Sequence, residues 1–541
     1  MTIAEETLHT LASERQQQLT THLYGQEINP ETYAICKADM LLKGEGENAD
    51  HVVGGAEWST LAHDAFPARE FDFMLSNPPY GKSWKKDLEG MGGKDGMRDP
   101  RFKVTHDGEE LNLVTRSSDG QLLFLANMVS KMNGKTKLGS RIAEVHNGSS
   151  LFTGDAGQGE SNIRRWIIEN DWLETIVALP LNLFYNTGIA TYIWVLSNKK
   201  ASSRKGKVQL IDATQWFKPL RKNLGKKNCE LSAGDILRIC DTYTAFAETE
   251  QSKVFPNAAF GYWKITVERP LRLHSQITPK AIAALRLSSG EEDIRTELYD
   301  RFGDTLLTDF AEVSADVEKA LNEWGTEDES EDEEGDDTPA KKGLPEKKKK
   351  KLLDAKTWER DGKLVAVATA LRKELGGEVF EDHNLFRDKV DAALKKLNLK
   401  LSGTELKVFL KAVSWRVETA PPVVAKVHKP GKAKADPLHG LYAVGKTVVE
   451  YEPDPDLRDT EQVPLLEEGG IEAFLKREVL PYTPDAWIDA SATKIGYEIS
   501  FTRHFYKPQA LRSLDEIRKD IVDLEKETEG LLGEIVGGKR A

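Results

Sequence analysis

The segment FDFMLSNPPYGKSWKK, residues 71–86, decides the fold prediction for this chain. Its first six residues form an apolar run typical of a buried strand, and Asn77-Pro78-Pro79-Tyr80 follows where that strand ends. In α/β sheets the carboxyl ends of the strands open onto the ligand crevice. Two consecutive prolines restrict the backbone and remove two N–H donors, which leaves a rigid loop that presents acceptors. The segment therefore predicts a ligand-binding loop at a sheet edge.

Short apolar runs alternate with helical patterns from residue 23 to about residue 213, which predicts an α/β fold. Besides residues 71–76, strands are predicted at residues 22–28, 141–147, 174–179, 190–197 and 208–212. Helices are predicted at residues 3–19, 30–43, 121–132 and 163–170, the second capped by Asn29 with Pro30 at its first position. This alternation predicts a doubly wound sheet in a first domain over residues 1–275.

A charged tract divides the second half of the chain into a helical extension, a linker and an accessory domain. Residues 327–337 hold nine acids in eleven residues, and the lysine-rich residues 341–351 follow. Blocks of like charge repel themselves and stay solvated, so residues 326–351 are predicted to form a disordered linker. A helical extension is predicted before the linker at residues 276–325. A largely helical accessory domain is predicted after it at residues 352–510, with an extended stretch at 417–450.

A heptad pattern marks the last predicted element, residues 511–541. Ser513 and Glu516 have the spacing of a capping box. Seam positions then recur at alternating spacings of three and four residues, at Leu514, Ile517, Ile521, Leu524, Thr528, Leu531 and Ile535. The pattern predicts a coiled-coil-like helix that either packs on its own domain or docks another subunit.

The composition argues against several classes of protein. Of 541 residues 39% are hydrophobic, and a formal net charge of −13 does not indicate a nucleic-acid-binding protein. The longest apolar stretches are too short to cross a bilayer, and the first twenty residues carry acids where a secretory signal needs an apolar core. The three cysteines lack CxxC spacing, and the eleven histidines lack metal-ligand spacing. We expect a cytoplasmic protein with no membrane segment and no bound metal.

The four residues 77–80, here called the NPPY loop, suit the methylation of an exocyclic amino group. Such a nitrogen is a poor nucleophile because its lone pair is delocalised. The Asn77 side-chain carbonyl and the Pro78 backbone carbonyl would accept both N–H groups and favour a pyramidal nitrogen. Tyr80 offers a face for base stacking, worth about 1–3 kcal/mol. The loop is characteristic of amino-methyltransferases that use S-adenosylmethionine, and it leaves adenine in DNA, adenine in RNA and glutamine in protein as alternative substrates.

Longer stretches closely resemble the modification (M) subunit of type I restriction-modification systems. They are residues 24–44, 71–86, 150–200, 208–232, 261–273 and 495–508, together with the final heptad helix. The resemblance implies a class I methyltransferase domain over residues 1–275 that transfers methyl groups from S-adenosylmethionine to N6 of a flipped adenine in DNA. It also implies a complex with a specificity (S) subunit that reads the DNA sequence, a restriction (R) subunit that cuts, and a second copy of the M subunit.

The resemblance also implies roles for individual residues. The NPPY loop holds the flipped adenine. Independently of the resemblance, residues 186–188 are predicted to form a turn beside the base pocket, where Phe184 and Tyr185 would line one wall. The Glu27 carboxylate accepts the ribose hydroxyls of the cofactor, since a carboxylate can take both at once. Without the resemblance, an exposed acid at the end of a strand would explain Glu27 better. Asp64 contacts the adenine of the cofactor, although this segment departs from the family's usual spacing and Asp64 fits the cap of a turn equally well.

One element of the family has no counterpart, because no cofactor loop of the form Asp-Pro-x-x-Gly-x-Gly-Gly precedes Glu27. In the family that loop runs directly into a segment resembling residues 1–6. We therefore expect the sheet to be incomplete at its amino-terminal side and the family's amino-terminal helical domain to be absent. The first helix is then expected to leave an open sheet edge that favours association, and the 541-residue chain is expected to fold poorly.

Three functions stay open at this stage. The first is an active type I DNA adenine methyltransferase. The second is a catalytically impaired remnant that binds only DNA or a partner subunit, which the missing cofactor loop favours. The third is a protein glutamine or RNA adenine methyltransferase, which the resemblance across the carboxyl-terminal half disfavours. Basic and aromatic residues at 164–166 and 503–507 are typical of nucleic-acid surfaces, but core aromatics with charges nearby explain them better.

Overall fold

The computed structural model describes residues 2–185, 187–324, 344–506 and 513–536. The chain forms two compact units: the first contains Met1–Lys264, Gln462–Gly470 and Lys494–Ala541, and the second contains Ile265–Glu461 and Ile471–Thr493. This division differs from the predicted domains, because two segments from the predicted accessory region and final helix belong to the first unit. Their packing joins residues that are hundreds of positions apart, which no local pattern could reveal.

The first part of the chain alternates strands and helices, as predicted. The strands are β1 (Gly25–Glu27), β2 (Val52–Gly54), β3 (Phe73–Ser76), β4 (Lys103–His106), β5 (Glu109–Asn112), β6 (Arg141–Asn147), β7 (Leu173–Ala178), β8 (Thr191–Ser197), β9 (Lys207–Asp212), β10 (Lys218–Leu224), β11 (Lys227–Glu230) and β12 (Ser252–Pro256). The helices are α1 (Thr2–Glu14), α2 (Pro30–Leu42), α3 (Gly46–Asp50), α4 (Lys85–Gly90), α5 (Gly93–Gly96), α6 (Gln121–Val129), α7 (Ser149–Phe152), α8 (Gly159–Glu169) and α9 (Ala233–Ala245). The first helix ends before the predicted residue 19, since Gln16 adopts a φ of 54°.

Six strands form the central sheet, in the order β12-β9-β7-β8-β6-β3. β3 runs parallel to β6 and β7 runs parallel to β9, while β8 is antiparallel to both β6 and β7. β3, β6, β7 and β9 therefore all point the same way, and their carboxyl ends meet at one side of the sheet. We call this side the carboxyl edge.

Helices cover both faces of the central sheet. Along β7, Ile176 packs in the cluster that contains the buried residues of α6 and α8, and the next residue, Val177, packs on the face of α9. Leu210 and Ile211 of β9 divide between the faces in the same way. The predicted doubly wound α/β fold is confirmed, with a mixed sheet because of β8.

β1 and β2 form a separate two-stranded parallel sheet. Its small core consists of Met40, Ala49 and Val52. At the end of the central sheet, Phe73 and Leu75 of β3 are 60% and 65% exposed. The prediction of a buried strand at residues 71–76 is therefore wrong for one face, which stays open in the part of the chain that the structure describes.

Residues beyond 494 complete the core of the first unit. Tyr497, Ile499 and Phe501 are buried in the same cluster as α6 and α8. The guanidinium of Arg164 on α8 is fully buried, and its Nε donates to the Tyr497 carbonyl at 2.6 Å. Arg164 therefore ties together two segments of the core, which agrees with the structural explanation of residues 164–166 and leaves it inaccessible to nucleic acid.

The later elements are largely helical, as predicted. The helices are α10 (Pro279–Ala284), α11 (Glu292–Phe302), α12 (Thr305–Thr308), α13 (Phe310–Glu323), α14 (Glu346–Leu352), α15 (Ala355–Leu375), α16 (His383–Lys396), α17 (Gly403–Ala412), α18 (Gly470–Phe474), α19 (Phe501–Phe505) and α20 (Leu514–Val536). The strands are β13 (Gly261–Glu268), β14 (Leu273–Ser275), β15 (Ser414–Arg416), β16 (Val424–Val427), β17 (Leu441–Val444), β18 (Thr447–Tyr451), β19 (Asp459–Pro464) and β20 (Trp487–Tyr497). Among the described residues, each helix is too short or too polar to cross a bilayer.

The predicted linker needs a correction at its carboxyl-terminal end. Residues 325–343 lie outside the described residues, but α14 occupies residues that were expected to be disordered. Lys348 pairs with Glu291 at 2.7 Å, and Lys351 donates to the Ser289 carbonyl at 2.6 Å. Leu352 is 1% exposed, so an apolar anchor and two specific partners offset the repulsion within the lysine run.

The final helix α20 begins at the predicted capping box. The Glu516 backbone N–H donates to Ser513 Oγ at 3.3 Å, and the Ser513 backbone N–H donates to the Glu516 carboxylate at 2.9 Å. Leu514 and Ile521 of the seam are 84% and 60% exposed. This exposure favours the docking alternative over packing on its own domain.

Candidate active site

The NPPY loop leaves β3 at the carboxyl edge, where a ligand-binding loop was predicted. Pro78 is buried while Asn77 is exposed, so the loop is fixed in its middle and open at the asparagine. Tyr80 is half-buried, and this burial raises the pKa of its phenol above the usual 10. An uncharged and partly exposed aromatic ring therefore lies at this edge of the sheet.

Trp84 anchors the chain that follows the loop. Its indole N–H donates to the Arg116 carbonyl at 2.9 Å, and its backbone N–H donates to the Ser117 carbonyl at 3.0 Å. The side chain lies against Gly120, where an added Cβ would come within 3.0 Å of the indole ring. The NPPY loop is thus held from both sides, by β3 and by the residues that lead into α6.

A buried polar network lies at the same edge, between the start of α6 and the end of β6. The Gln121 amide nitrogen lies 2.7 Å from Asp119 Oδ2, 2.8 Å from Asn147 Oδ1 and 2.9 Å from Ser149 Oγ, three acceptors that share its two N–H groups. Its amide oxygen lies 3.2 Å from His146 Nδ1. Because the amide nitrogen must face the acceptors, the oxygen faces the imidazole, and Nδ1 of His146 therefore carries a proton.

His146 also meets a buried carboxyl group, and both side chains are fully buried. Its Nε2 lies 3.1 Å from Glu144 Oε2, a contact at ion-pair distance that is poorly aligned for a hydrogen bond. Burial raises the pKa of Glu144, and the imidazole opposes this shift. The two groups share one proton. When Glu144 holds the proton the pair is neutral, and when His146 Nε2 holds it the pair is ionic. Burial favours the neutral acid.

This Glu144–His146 pair was missed in the sequence. Glu144 pairs in register with Ser76, the residue directly before the NPPY loop. The signal was present in β6, because Ile142, Glu144 and His146 alternate on its buried face. Two titratable residues at the buried positions of a strand are unusual enough to have marked the site.

Glu27 ends β1, the short strand that carries the predicted cofactor acid. Its Oε1 accepts from the Asn29 backbone N–H at 2.8 Å, and the Asn29 side chain caps α2 as predicted. Among the described residues no hydrogen bond reaches Oε2, so one oxygen of this half-buried carboxylate can accept hydroxyl groups. The chemistry of Glu27 fits a ribose.

Asp64 is committed to contacts within the protein. Its Oδ2 pairs with Lys131 Nζ at 2.6 Å, and its Oδ1 accepts from the Phe66 backbone N–H at 2.9 Å. Both carboxyl oxygens are thereby engaged, in an ion pair and in a turn. These contacts match the turn-cap alternative rather than a contact with the cofactor.

Phe184 and Tyr185 lie on the loop that follows β7, at the carboxyl edge. Phe184 packs into the cluster of Val177 and Trp216, which gives it a role in the core that its sequence context did not indicate. Tyr185 is 60% exposed. Of the two predicted wall residues, Tyr185 is the one open to a ligand.

The structure brings only some of the predicted site residues together. The NPPY loop, Tyr185 and the Gln121 network share the carboxyl edge of one sheet. β3 and β7 are three strand intervals apart, about 14 Å at the usual spacing. Glu27 belongs to the separate sheet of β1 and β2.

One cluster of His106, Asp107 and Glu169 has the composition of a metal site, which the sequence did not indicate. His106 Nε2 lies 2.6 Å from Glu169 Oε2, and Arg165 Nε donates to the same oxygen at 3.0 Å. A guanidinium on the shared carboxylate competes with any cation, so the cluster is explained as an ion-pair network.

Residues 3–260 match the family model described as N-6 DNA Methylase. This part of the chain is therefore similar to N-6 DNA methylases. The match contains the NPPY loop, the central sheet and Glu27.

The chain also resembles methylase subunits of type I restriction enzymes. It is 28% identical over 229 residues to the MjaIX methylase subunit of Methanocaldococcus jannaschii, which covers 42% of this chain and 36% of the relative. It is 29% identical over 231 residues to the MpnII methylase subunit of Mycoplasma pneumoniae, which covers 42% of this chain and 38% of the relative. The aligned region thus spans little more than a third of the length of either relative.

Two solved structures show a weaker likeness. The type I restriction-modification methyltransferase subunit of Streptococcus thermophilus aligns with a TM-score of 0.37 at 24% identity, covering 47% of this chain and 48% of that one. A modification subunit of a putative type I restriction enzyme from Vibrio vulnificus aligns with a TM-score of 0.33 at 16% identity, covering 45% and 46%.

Proposed function

We propose that this chain methylates N6 of adenine in DNA, with S-adenosylmethionine as the donor, as the modification subunit of a type I restriction-modification complex. The observation that carries the proposal is the NPPY loop at the carboxyl edge of a region similar to N-6 DNA methylases, with Asn77 exposed beside a buried Pro78. The type I relatives support DNA as the substrate over RNA or protein.

The loop residues would act on a flipped adenine. The Asn77 side-chain carbonyl and the Pro78 backbone carbonyl accept the two N–H groups of the amino nitrogen, which draws its lone pair out of the ring. The neutral Tyr80 ring stacks on the base, which offsets a part of the few kcal/mol that flipping costs. Trp84 and β3 keep the loop from moving away as the base enters.

We assign one residue, Glu27, to the binding of the cofactor. S-adenosylmethionine supplies a methyl group that is electrophilic because it is bonded to a sulfonium. Glu27 would hold the ribose through its available Oε2. Asp64 is not assigned to the cofactor, since both of its oxygens are engaged by Lys131 and the Phe66 backbone.

The proposed partners follow from the class. A specificity subunit would dock on the exposed seam of α20, where Leu514 and Ile521 are unburied. A restriction subunit and a second copy of the M subunit would complete the complex. Sequence recognition would then reside in the specificity subunit.

Calorimetry with S-adenosylmethionine tests the cofactor side, with Glu27→Ala and Asn77→Ala as a matched pair. We expect binding to the 541-residue chain, a loss of binding in Glu27→Ala, and unchanged binding in Asn77→Ala. In a methyl-transfer assay with a specificity subunit, Asn77→Ala should lose at least about a hundredfold in rate, as removal of one well-placed polar group does. Transfer by Asn77→Ala at the wild-type rate would refute the assignment of the loop.

A second candidate function is a non-catalytic remnant that binds DNA or a partner subunit. The observation in its favour is that Glu27 and the NPPY loop belong to different sheets. If the chain binds no S-adenosylmethionine while it still associates with a specificity subunit, this candidate replaces the enzyme.

A further inference from the structure

β10 and β11 form a hairpin with an unusual concentration of positive charge. Residues 217–228 (FKPLRKNLGKKN) hold five cations and no acid, in a chain whose net charge is −13. The cations are Lys218, Arg221, Lys222, Lys226 and Lys227. Like charges this close repel one another, so the hairpin is charged in excess of what its own structure requires.

The cations are not neutralised by the protein. Lys218, Arg221, Lys222 and Lys226 are exposed, and none of the five forms an ion pair with another described residue, although Glu230 of β11 lies in register opposite Lys218. Only Lys227 has a fixed partner, since its Nζ donates to the Leu183 carbonyl at 2.7 Å. Four charges are thus open to an external anion.

The hairpin is held firmly at the carboxyl edge. It follows the carboxyl end of β9, and its base is buried through Trp216 and Cys229. The Lys226 backbone N–H donates to the Tyr185 carbonyl at 3.0 Å. At the turn, Gly225 has a φ of +63°, and an added Cβ would lie 2.9 Å from the same carbonyl, so only glycine allows this close approach.

The carbonyl of Tyr185 belongs to the exposed aromatic residue that lies at the same edge as the NPPY loop. β9 and β3 are four strand intervals apart, about 19 Å. At 3.4 Å per base pair, this distance corresponds to about six base pairs of duplex. A duplex whose adenine enters at the NPPY loop can therefore reach the hairpin with its flanking backbone.

We infer that the β10–β11 hairpin binds the phosphate backbone of the DNA duplex beside the target adenine. The inference rests on the proposed function, and it adds the surface on which the duplex lies. Four of the five cations are lysines, whose ammonium groups act as point charges on phosphates, so the hairpin positions the DNA more than it reads its sequence. Gly225 and the buried base hold the backbone of the hairpin at the carboxyl edge.

The test is the affinity of the full 541-residue chain for a fluorescent 30-base-pair duplex, measured by anisotropy across a salt series. The hairpin variant carries Lys218→Gln, Arg221→Gln, Lys222→Gln and Lys226→Gln, and it retains Lys227. We expect the slope of log affinity against log salt to become shallower by about 3–4, with at least about a tenfold loss of affinity at roughly 100 mM salt.

A matched control removes the same number of charges from the opposite edge of the sheet. It carries Lys137→Gln, Lys199→Gln, Lys205→Gln and Lys207→Gln, four exposed residues near the start of β6, the end of β8 and the start of β9. The control should bind DNA like the wild type at every salt concentration. An equal loss of affinity in both variants would overturn the inference, because it would report net charge alone.

Further results of the binding experiments also test whether the hairpin binds DNA. Wild-type affinity in the hairpin variant, or tighter binding of an RNA duplex of the same sequence than of the DNA, would overturn the inference. Asn77→Ala separates this result from the proposed function, since it should keep duplex affinity while it loses methyl transfer. A hairpin variant that loses DNA while S-adenosylmethionine still binds would support the hairpin assignment whatever the fate of the methylation assay.

Discussion

The two sheets of the first unit differ sharply in how they are buried. Among the described residues, the larger core around the central sheet contains thirty buried side chains, whereas the sheet of β1 and β2 rests on Met40, Ala49 and Val52. The two neighbouring helices leave apolar residues exposed, with Ile3 at 75%, Ile35 at 63% and Leu42 at 89%.

The difference shows that the two halves of the candidate site have unequal support. Parallel strands are normally covered on both faces, and an isolated pair is marginal in water. Asn77 and Tyr80 extend from a sheet that the core fixes, while Glu27 extends from a pair of three-residue strands. We therefore expect the proposed base-binding side to be rigid and the proposed cofactor-binding side to be the part that ligand binding stabilises.

The largest expected effect is on the central sheet. Ile176 is fully buried in β7, so Ile176→Ala should lower the free energy of unfolding by about 2–5 kcal/mol. Chemical denaturation monitored by circular dichroism measures this change. Ile35→Ala on α2 is the control, and because Ile35 is 63% exposed it should cost less than about 0.5 kcal/mol. Equal costs would contradict the contrast between the two sheets.

Hydrogen exchange should separate the sheets within one molecule. The amides of β7 are expected to exchange only on global unfolding. Those of β1 and β2 should exchange through a local opening whose free energy is at least about 2 kcal/mol lower than that of global unfolding. Mass spectrometry on peptides that cover residues 22–28 and 173–178 reports both. Addition of S-adenosylmethionine should slow exchange in the first peptide alone. Equal protection of both peptides in the absence of ligand would show that the small sheet is as stable as the large one.

The buried acid of the central sheet predicts a pH dependence. The pKa of Glu144 is raised in the folded state, so its contribution to stability is complete below the ordinary value of 4.5 and is lost as the pH rises through the raised value. Glu144→Gln stays neutral at every pH. As the pH rises from 5 to 8, the variant should therefore become more stable relative to the wild type, with about 1.4 kcal/mol for each pH unit by which the pKa of Glu144 is raised. Urea unfolding at both pH values checks it, with Glu27→Gln in the small sheet as the control. A difference between variant and wild type that is the same at both pH values would disprove it.

The smallest effect on stability is expected on the open face of β3. Phe73→Thr and Leu75→Thr replace exposed apolar residues with a strand-forming polar one, so together they should change the free energy of unfolding by less than about 0.5 kcal/mol. They should instead reduce self-association, which light scattering over a concentration series measures. An unchanged scattering curve would mean that this face is not the one that associates.

Several features of the fold were predictable because they depend on neighbours in sequence. The caps at Asn29 and Ser513, the bounds of β6, and the strand that ends at the NPPY loop all have local signals within a few residues. The NPPY loop was predictable for the same reason, since the strand, the two prolines and the aromatic residue are contiguous.

Other features depend on which remote segments meet. Asp64 finds Lys131 across 67 positions, and Arg164 finds the Tyr497 carbonyl across 333 positions. Phe184 turned inward because Trp216 and α9 cover that face. The buried network around the Glu144–His146 pair was not predictable, because it depends on the contact between His146 and the remote Gln121 side chain. Local sequence sets where chains turn and which faces are apolar, but burial of a given side chain is set by long-range packing.

The class of sheet, the loop at its carboxyl edge and the chemistry that the loop suits were determined by the sequence alone, since backbone preference and side-chain chemistry act over a few residues. The tertiary structure decided that Glu27 and Asn77 extend from different sheets, that Asp64 is taken by an ion pair, and that the cations of residues 217–228 gather at the edge that carries the NPPY loop. The physical reason is that strand pairing, and the edge at which a hairpin lies, depend on contacts between segments whose encounter no local pattern encodes.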